Sequence, residues 1–170
     1  GASEQLERLL ALPRTVGIEV DAGRLLADRA TRDHVVQEAQ RQTDAAAADG
    51  LTPVLYTSRA VERPSRMEPL QAGQAISSGL VDIVAGLRLQ PAFVVAKGGI
   101  TSSDIGTRAF GVRRAEVLGQ IQPGVPVWKL GAEARFPGMP YIVFPGNVGG
   151  VETLATVVAQ LRQDDAHSRS

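Results

Sequence analysis

The chain has 170 residues, of which 44% are hydrophobic and 21% charged; Lys plus Arg and Asp plus Glu each number 18, so the formal net charge is zero. This composition excludes a disordered chain, a basic nucleic-acid footprint and a polybasic membrane patch. With no cysteine, disulfides and Cys-based zinc sites are excluded as well.

Leu6, Leu9 and Leu10 fall at i, i+3 and i+4, with Ser3 as N-cap and Pro13 beyond, and predict a short amphipathic helix. Thr15–Val20 alternates Val16, Ile18 and Val20 and predicts a strand. Asp21–Asp49 reads as helical, either one helix or two with Thr31 capping the second, and Gly50 is the stop. Pro53–Thr57 predicts a short buried strand, and the polar, proline-bearing Ser58–Met67 a loop. A helix with Ile76, Leu80, Ile83, Val84 and Leu87 on one stripe follows, broken by Pro91. Ala92–Ala96 is apolar throughout, as in a strand covered on both faces. Ser103–Phe110 predicts a short helix; Ala115–Ile121, Val127–Leu130 and Tyr141–Phe144 predict three strands. Leu154, Val157, Val158 and Leu161 form the stripe of a last helix, and the polar Gln163–Ser170 tail is expected to fray.

Alternation of strands and helices implies an α/β fold, a layered sheet of mostly parallel strands flanked by helices. No apolar run reaches the ~18 residues of a spanning helix, and residues 1–10 lack a signal-peptide pattern. The expectation is a soluble cytoplasmic protein without nucleic-acid or membrane partners.

The strongest local pattern is Ala96-Lys97-Gly98-Gly99-Ile100-Thr101-Ser102-Ser103-Asp104, between a buried strand and a helix. Paired glycines let backbone N–H groups approach an anion, hydroxyls add donors, and the following helix offers its positive end. This is either a phosphate cradle or a tight strand-to-helix turn capped by Ser or Asp; it is not a Walker motif. Lys97 either meets a phosphate or is solvated, and Asp104 reads better as a helix cap than as a metal contact. A second turn, Phe144-Pro145-Gly146-Asn147-Val148-Gly149-Gly150, has the same setting, and the amide of Asn147 can read a base or ribose. Gln122-Pro123-Gly124-Val125-Pro126 predicts a type II turn. His34 reads as a surface residue and His167 lies in the tail. Trp128 reads as core, and no general base is evident. A dinucleotide oxidoreductase is disfavoured, since no G-x-G-x-x-G with a following acid is present.

Taken together, Lys97–Ser102, Pro123–Pro126 and Phe144–Gly149 resemble the C-terminal nucleotide-binding domain of the four-carbon acid sugar kinases. The spacing agrees, as does Gln120–Leu130 between the turns. The likeness is strongest over Phe93–Leu161 and weak before Pro91. It implies that residues 1–165 are the nucleotide-binding part of a larger two-domain kinase, with residues 166–170 a frayed tail. It also implies ATP and ADP as ligands, Mg²⁺ carried by the nucleotide, and an N-terminal domain that binds the acid and holds the base. The substrate would be of the threonate, erythronate or 3-oxo-tetronate type. Gly98, Gly99, Ile100, Thr101 and Ser102 would line the phosphates; Gly146, Asn147 and Gly149 would close the site; no catalytic residue or metal ligand is assigned. The alternative is a non-catalytic nucleotide or sugar-phosphate sensor, with self-association admitted.

Two features depart from the family pattern. Many members read Lys-Ser-Gly-Asn where this chain has Phe144-Pro145-Gly146-Asn147. Family domains also open with a strand ending in a Gly-Ser turn, whereas this chain opens at Gly1-Ala2-Ser3. The expectation is therefore a piece of a longer enzyme, inactive alone.

Overall fold

A computed structural model describes residues 2–59 and 66–169. Residues 60–65, in the predicted Ser58–Met67 loop, lie outside the described residues. The chain divides into two compact units, Val16–Leu89 and Gly1–Thr15 with Gln90–Ser170.

The Val16–Leu89 unit pairs β1 (Thr15–Val20) with β2 (Thr52–Thr57) and packs α2 (Ala22–Leu25), α3 (Arg29–Ala48) and α4 (Pro69–Ala85) around them. Its core joins Ile18, Val20, Leu25, Val35, Val36, Ala39 and Ile83, the inward positions of one strand and three helices. The predicted helical stretch is two helices, but Asp28 caps the second rather than Thr31. The Asp28 carboxylate accepts from the Thr31 backbone N–H and hydroxyl, both at 2.9 Å, satisfying a first-turn donor. Gly50 follows α3 at φ +74°, the left-handed stop. α4 starts with Pro69 in its first turn and ends at Gly86, well short of Pro91. A Cβ at Gly86 would collide with the tip of the Gln40 side chain, whose amide donates to the Asp82 carbonyl at 2.9 Å, so a side chain there would displace that hydrogen bond.

The second unit holds α1 (Ala2–Leu10), β3 (Val94–Lys97), α5 (Gly99–Asp104) continuing as a π-helical segment (Ile105–Ala109), β4 (Ala115–Gln122), β5 (Val125–Leu130), β6 (Pro140–Phe144) and α6 (Thr153–Arg169). α6 thus includes most of the polar stretch for which the sequence predicts fraying. The strand order is β3-β6-β5-β4. The layered α/β class is borne out, and pairing in this sheet is mixed: β3 and β6 are parallel, while β6/β5 and β5/β4 are antiparallel. The hairpin follows from Pro123-Gly124, where Gly124 takes φ +79° and its N–H reaches the Gln120 side-chain oxygen at 3.1 Å. Two residues cannot carry a chain across to a parallel strand. Phe110, Phe144, Val125, Ile142 and Val157 are almost fully buried in this unit.

Candidate functional site

β3 and β6 run parallel in register, Val94 with Tyr141 through Lys97 with Phe144. Both strands therefore release their chains at the same end of the sheet, where each enters a glycine turn. β5 runs antiparallel to β6, with Val127 opposite Ile142, which brings its starting end to the same place. A Cβ at Gly124 would lie 3.3 Å from the Val148 side chain, so the Pro123-Gly124 turn abuts the Phe144–Gly150 turn. The three turns singled out in the sequence thus form one cluster.

In the first turn Gly98 has φ +98° and its N–H donates to the Phe144 carbonyl at 2.9 Å, tying one turn to the other strand. The helix begins at Gly99 rather than Ser103. The N–H groups of Gly99, Ile100 and Thr101 fall in its first turn and have no acceptor within the helix. A Cβ at Gly98 or Gly99 would meet no atom within 4 Å, so both backbones border open space. Ile100 is 69% exposed. Ser102, by contrast, is buried, and its hydroxyl is directed to the carbonyls of Ala96, at 2.8 Å, and Gly98. It fastens the turn from inside. Asp104 is the last residue of α5, and the α5 N-cap, Gly98, makes no side-chain cap bond. The expected capping role of Asp104 at the helix start is therefore corrected.

In the second turn Gly146, Asn147, Gly149 and Gly150 are exposed. A Cβ at Gly146 or Gly150 would again meet nothing within 4 Å. Gly149 differs: at φ +79°, its Cβ would lie 2.5 Å from Thr153 Oγ1. That hydroxyl accepts from the Gly150 N–H at 2.8 Å and holds the entry to α6. Lys97 Nζ crosses between the turns and donates to the Gly146 carbonyl at 3.2 Å.

Two supports escape sequence reasoning. Gln5 on α1 is buried and donates its amide to the carbonyls of Val148, at 3.3 Å, and Gly150, at 3.0 Å. Tyr141 on β6 donates its hydroxyl to the Ser102 carbonyl, fixing α5 to the strand. Burial pushes this phenol above its ordinary pKa, with a Gly106 backbone hydrogen bond acting the other way. The apolar run Pro140–Phe144 marks Tyr141 as part of a strand but not the partner of its hydroxyl, and nothing local could have paired Gln5 with a turn so distant in sequence. His34 and His167 are exposed on α3 and α6. Among the described residues no group of three or more His, Asp or Glu could hold a metal ion. No helix among them is long and apolar enough to cross a membrane.

A family model described as the nucleotide-binding C-terminal domain matches residues 1–154. No curated protein matches the chain. Among solved structures, a domain of unknown function from Bordetella bronchiseptica, a domain-swapped dimer with bound citrate, is 20% identical with a TM-score of 0.66. The match covers 94% of this chain and 37% of that one. A protein from Salmonella typhimurium LT2, provisionally described as a tRNA synthase, is 18% identical with a TM-score of 0.66, over 94% of this chain and 38% of that one. At these identities the likeness is one of fold. The chain spans less than two-fifths of the length of either neighbour.

Proposed function

Because the chain belongs to the nucleotide-binding C-terminal domain family, we propose that it holds ATP at its glycine turns for a kinase acting on four-carbon sugar acids. The observation that carries this reading is the parallel pairing of β3 and β6, which sets both turns side by side beyond the carboxyl ends of their strands. Ligands of open α/β sheets bind in that position. The residues fit a polyphosphate: the backbones at Gly98, Gly99, Gly146 and Gly150 border open space. Three first-turn N–H groups and the Lys97 ammonium are the available donors.

Gly99, Ile100 and Thr101 would offer backbone N–H groups to phosphate oxygens. Gly98 shapes the turn, since its own N–H is taken by Phe144. Ser102 keeps the turn in place rather than binding ligand. Gly146 and Asn147 would form the opposite wall, with Gly149 setting its backbone course. Bound ATP supplies the phosphoryl group, and Mg²⁺ would be held by phosphate oxygens and water. The chain's part is positioning and neutralisation, which dominate phosphoryl transfer. The cluster of turns offers no base: Asp104 is its one carboxylate and closes α5. The acceptor acid and its base would come from an N-terminal domain of a longer protein, residues 1–165 being the nucleotide-binding part.

An ADP-release assay over threonate, erythronate and their oxo acids tests the reading. The chain alone should turn over none of them, and adding the N-terminal half should restore turnover of at least one. Calorimetry with ADP and a non-hydrolysable ATP analogue reports binding separately. Binding without turnover in the complete protein would favour the sensor alternative, and turnover by the chain alone would overturn the division of labour.

A further inference from the structure

Lys97 closes β3 and stands in register with Phe144, the last residue of β6. Its Nζ lies 3.2 Å from the Gly146 carbonyl oxygen and 6.0 Å from the centroid of the Phe144 ring. It is the one Lys or Arg within residues 96–104, 122–126 and 144–150, the three clustered turns. Among the described residues no carboxylate forms an ion pair with it. An ammonium carries three donors and no acceptor, and one of the three is directed to Gly146. The remaining two are available on a group anchored to both strands of the site.

We infer that Lys97 is the specificity-determining residue of this site, the cation that makes it select polyphosphate over a nucleoside or a monophosphate. The inference rests on the nucleotide reading above. Neutral backbone N–H groups of the first turn can donate to any oxyanion. A point charge adds attraction that grows with the charge of the ligand, and no second cation in these turns can substitute for it. Resting on the Gly146 carbonyl, the ammonium is held near the open backbones of both turns without a carboxylate to be displaced first. A diphosphate or triphosphate brings several oxygens to the gap and engages the donors left over; adenosine brings none.

The test is calorimetry on the full-length protein with adenosine, AMP, ADP and a non-hydrolysable ATP analogue, comparing wild type, Lys97→Met and Lys97→Arg. Lys97→Met should weaken ADP and the ATP analogue by roughly 10- to 100-fold, the value of one charge-assisted hydrogen bond, and adenosine by less than about threefold. Lys97→Arg should restore most of the polyphosphate affinity, because the charge is kept. The salt dependence of ADP binding should flatten in Lys97→Met. Equal losses for adenosine and ATP would make Lys97 a structural strap between the turns and overturn the inference, as would unchanged ADP affinity. A wild-type protein that binds none of the four ligands would instead refute the nucleotide reading and the inference with it.

Discussion

Gly99→Val separates the site from the fold. Gly99 is the first residue of α5, its φ lies outside the left-handed range, and its Cβ would meet no atom within 4 Å. The folded chain should therefore accept a side chain there. Replacing glycine also lowers the entropy of the unfolded chain, worth about 0.4–1 kcal/mol for alanine at a compatible site. The melting temperature should hold steady within a few degrees. Ligand binding should not. The valine methyls would occupy the space through which the N–H groups of Gly99 and Ile100 face an anion. Losing two hydrogen bonds to a charged group costs roughly 3–6 kcal/mol, or about 10²- to 10⁴-fold in affinity. Calorimetry with ADP beside a thermal melt reads both quantities. Gly98→Val is the control: at φ +98° it should lower the melting temperature as well. A folded Gly99→Val variant with wild-type ADP affinity would refute the phosphate cradle.

Other outcomes follow from supports around the turns. Gly149→Ala forces a side chain into the left-handed region and against Thr153, so it should destabilise by about 2–4 kcal/mol, read by chemical denaturation. Tyr141→Phe removes the buried donor to the Ser102 carbonyl and should cost about 1–3 kcal/mol, with a melting curve as the check. Since burial raises the Tyr141 pKa, its contribution is complete below the ordinary phenol value and is lost as pH rises through the folded one; the alkaline limb should flatten in that variant. Glu38, held at about 2 by the Arg41 and Gln42 side chains, acts in the opposite sense. Its stabilisation is present above the ordinary carboxylate value and is lost as pH falls toward 2, which an NMR titration of its side chain would follow.

The elements with strong local signals were legible: the alternation of Val16, Ile18 and Val20, the all-apolar Ala92–Ala96 and the stripe of α6 each locate an observed element. So were the three turns, because glycine and proline punctuate the chain where its direction changes. Besides the Gln5 and Tyr141 supports, three things were not legible. Glycine pairs signal a break, so the start of α5 at Gly99 is hidden behind residues that look like loop. Ser102 looks like an exposed donor until the helix begins at Gly99, which turns its hydroxyl inward onto Ala96 and Gly98. Pairing direction was not legible where β5 meets β4 and β6, because apolar runs look alike in either direction and only the two-residue turn at Pro123-Gly124 distinguishes them. Membership in the nucleotide-binding C-terminal domain family was legible from the three turns, their spacing and the Gln120–Leu130 stretch, and is borne out.

The mixed sheet has a consequence for when the site comes into being. β4, β5 and β6 follow one another closely and pair antiparallel, so they can zip together by local steps. β3 must wait, since residues 98–139 separate it from β6, and closing a long loop costs entropy before any contact repays it. β3 is also an edge strand of its sheet, held by one partner. The two glycine turns meet only when β3 docks, which predicts that the site is assembled late in folding. A local opening in which β3 detaches while the hairpin persists would expose it. A ligand bound across both turns would resist that opening, and hydrogen exchange at Val94–Lys97 would slow before the rest of the sheet responds.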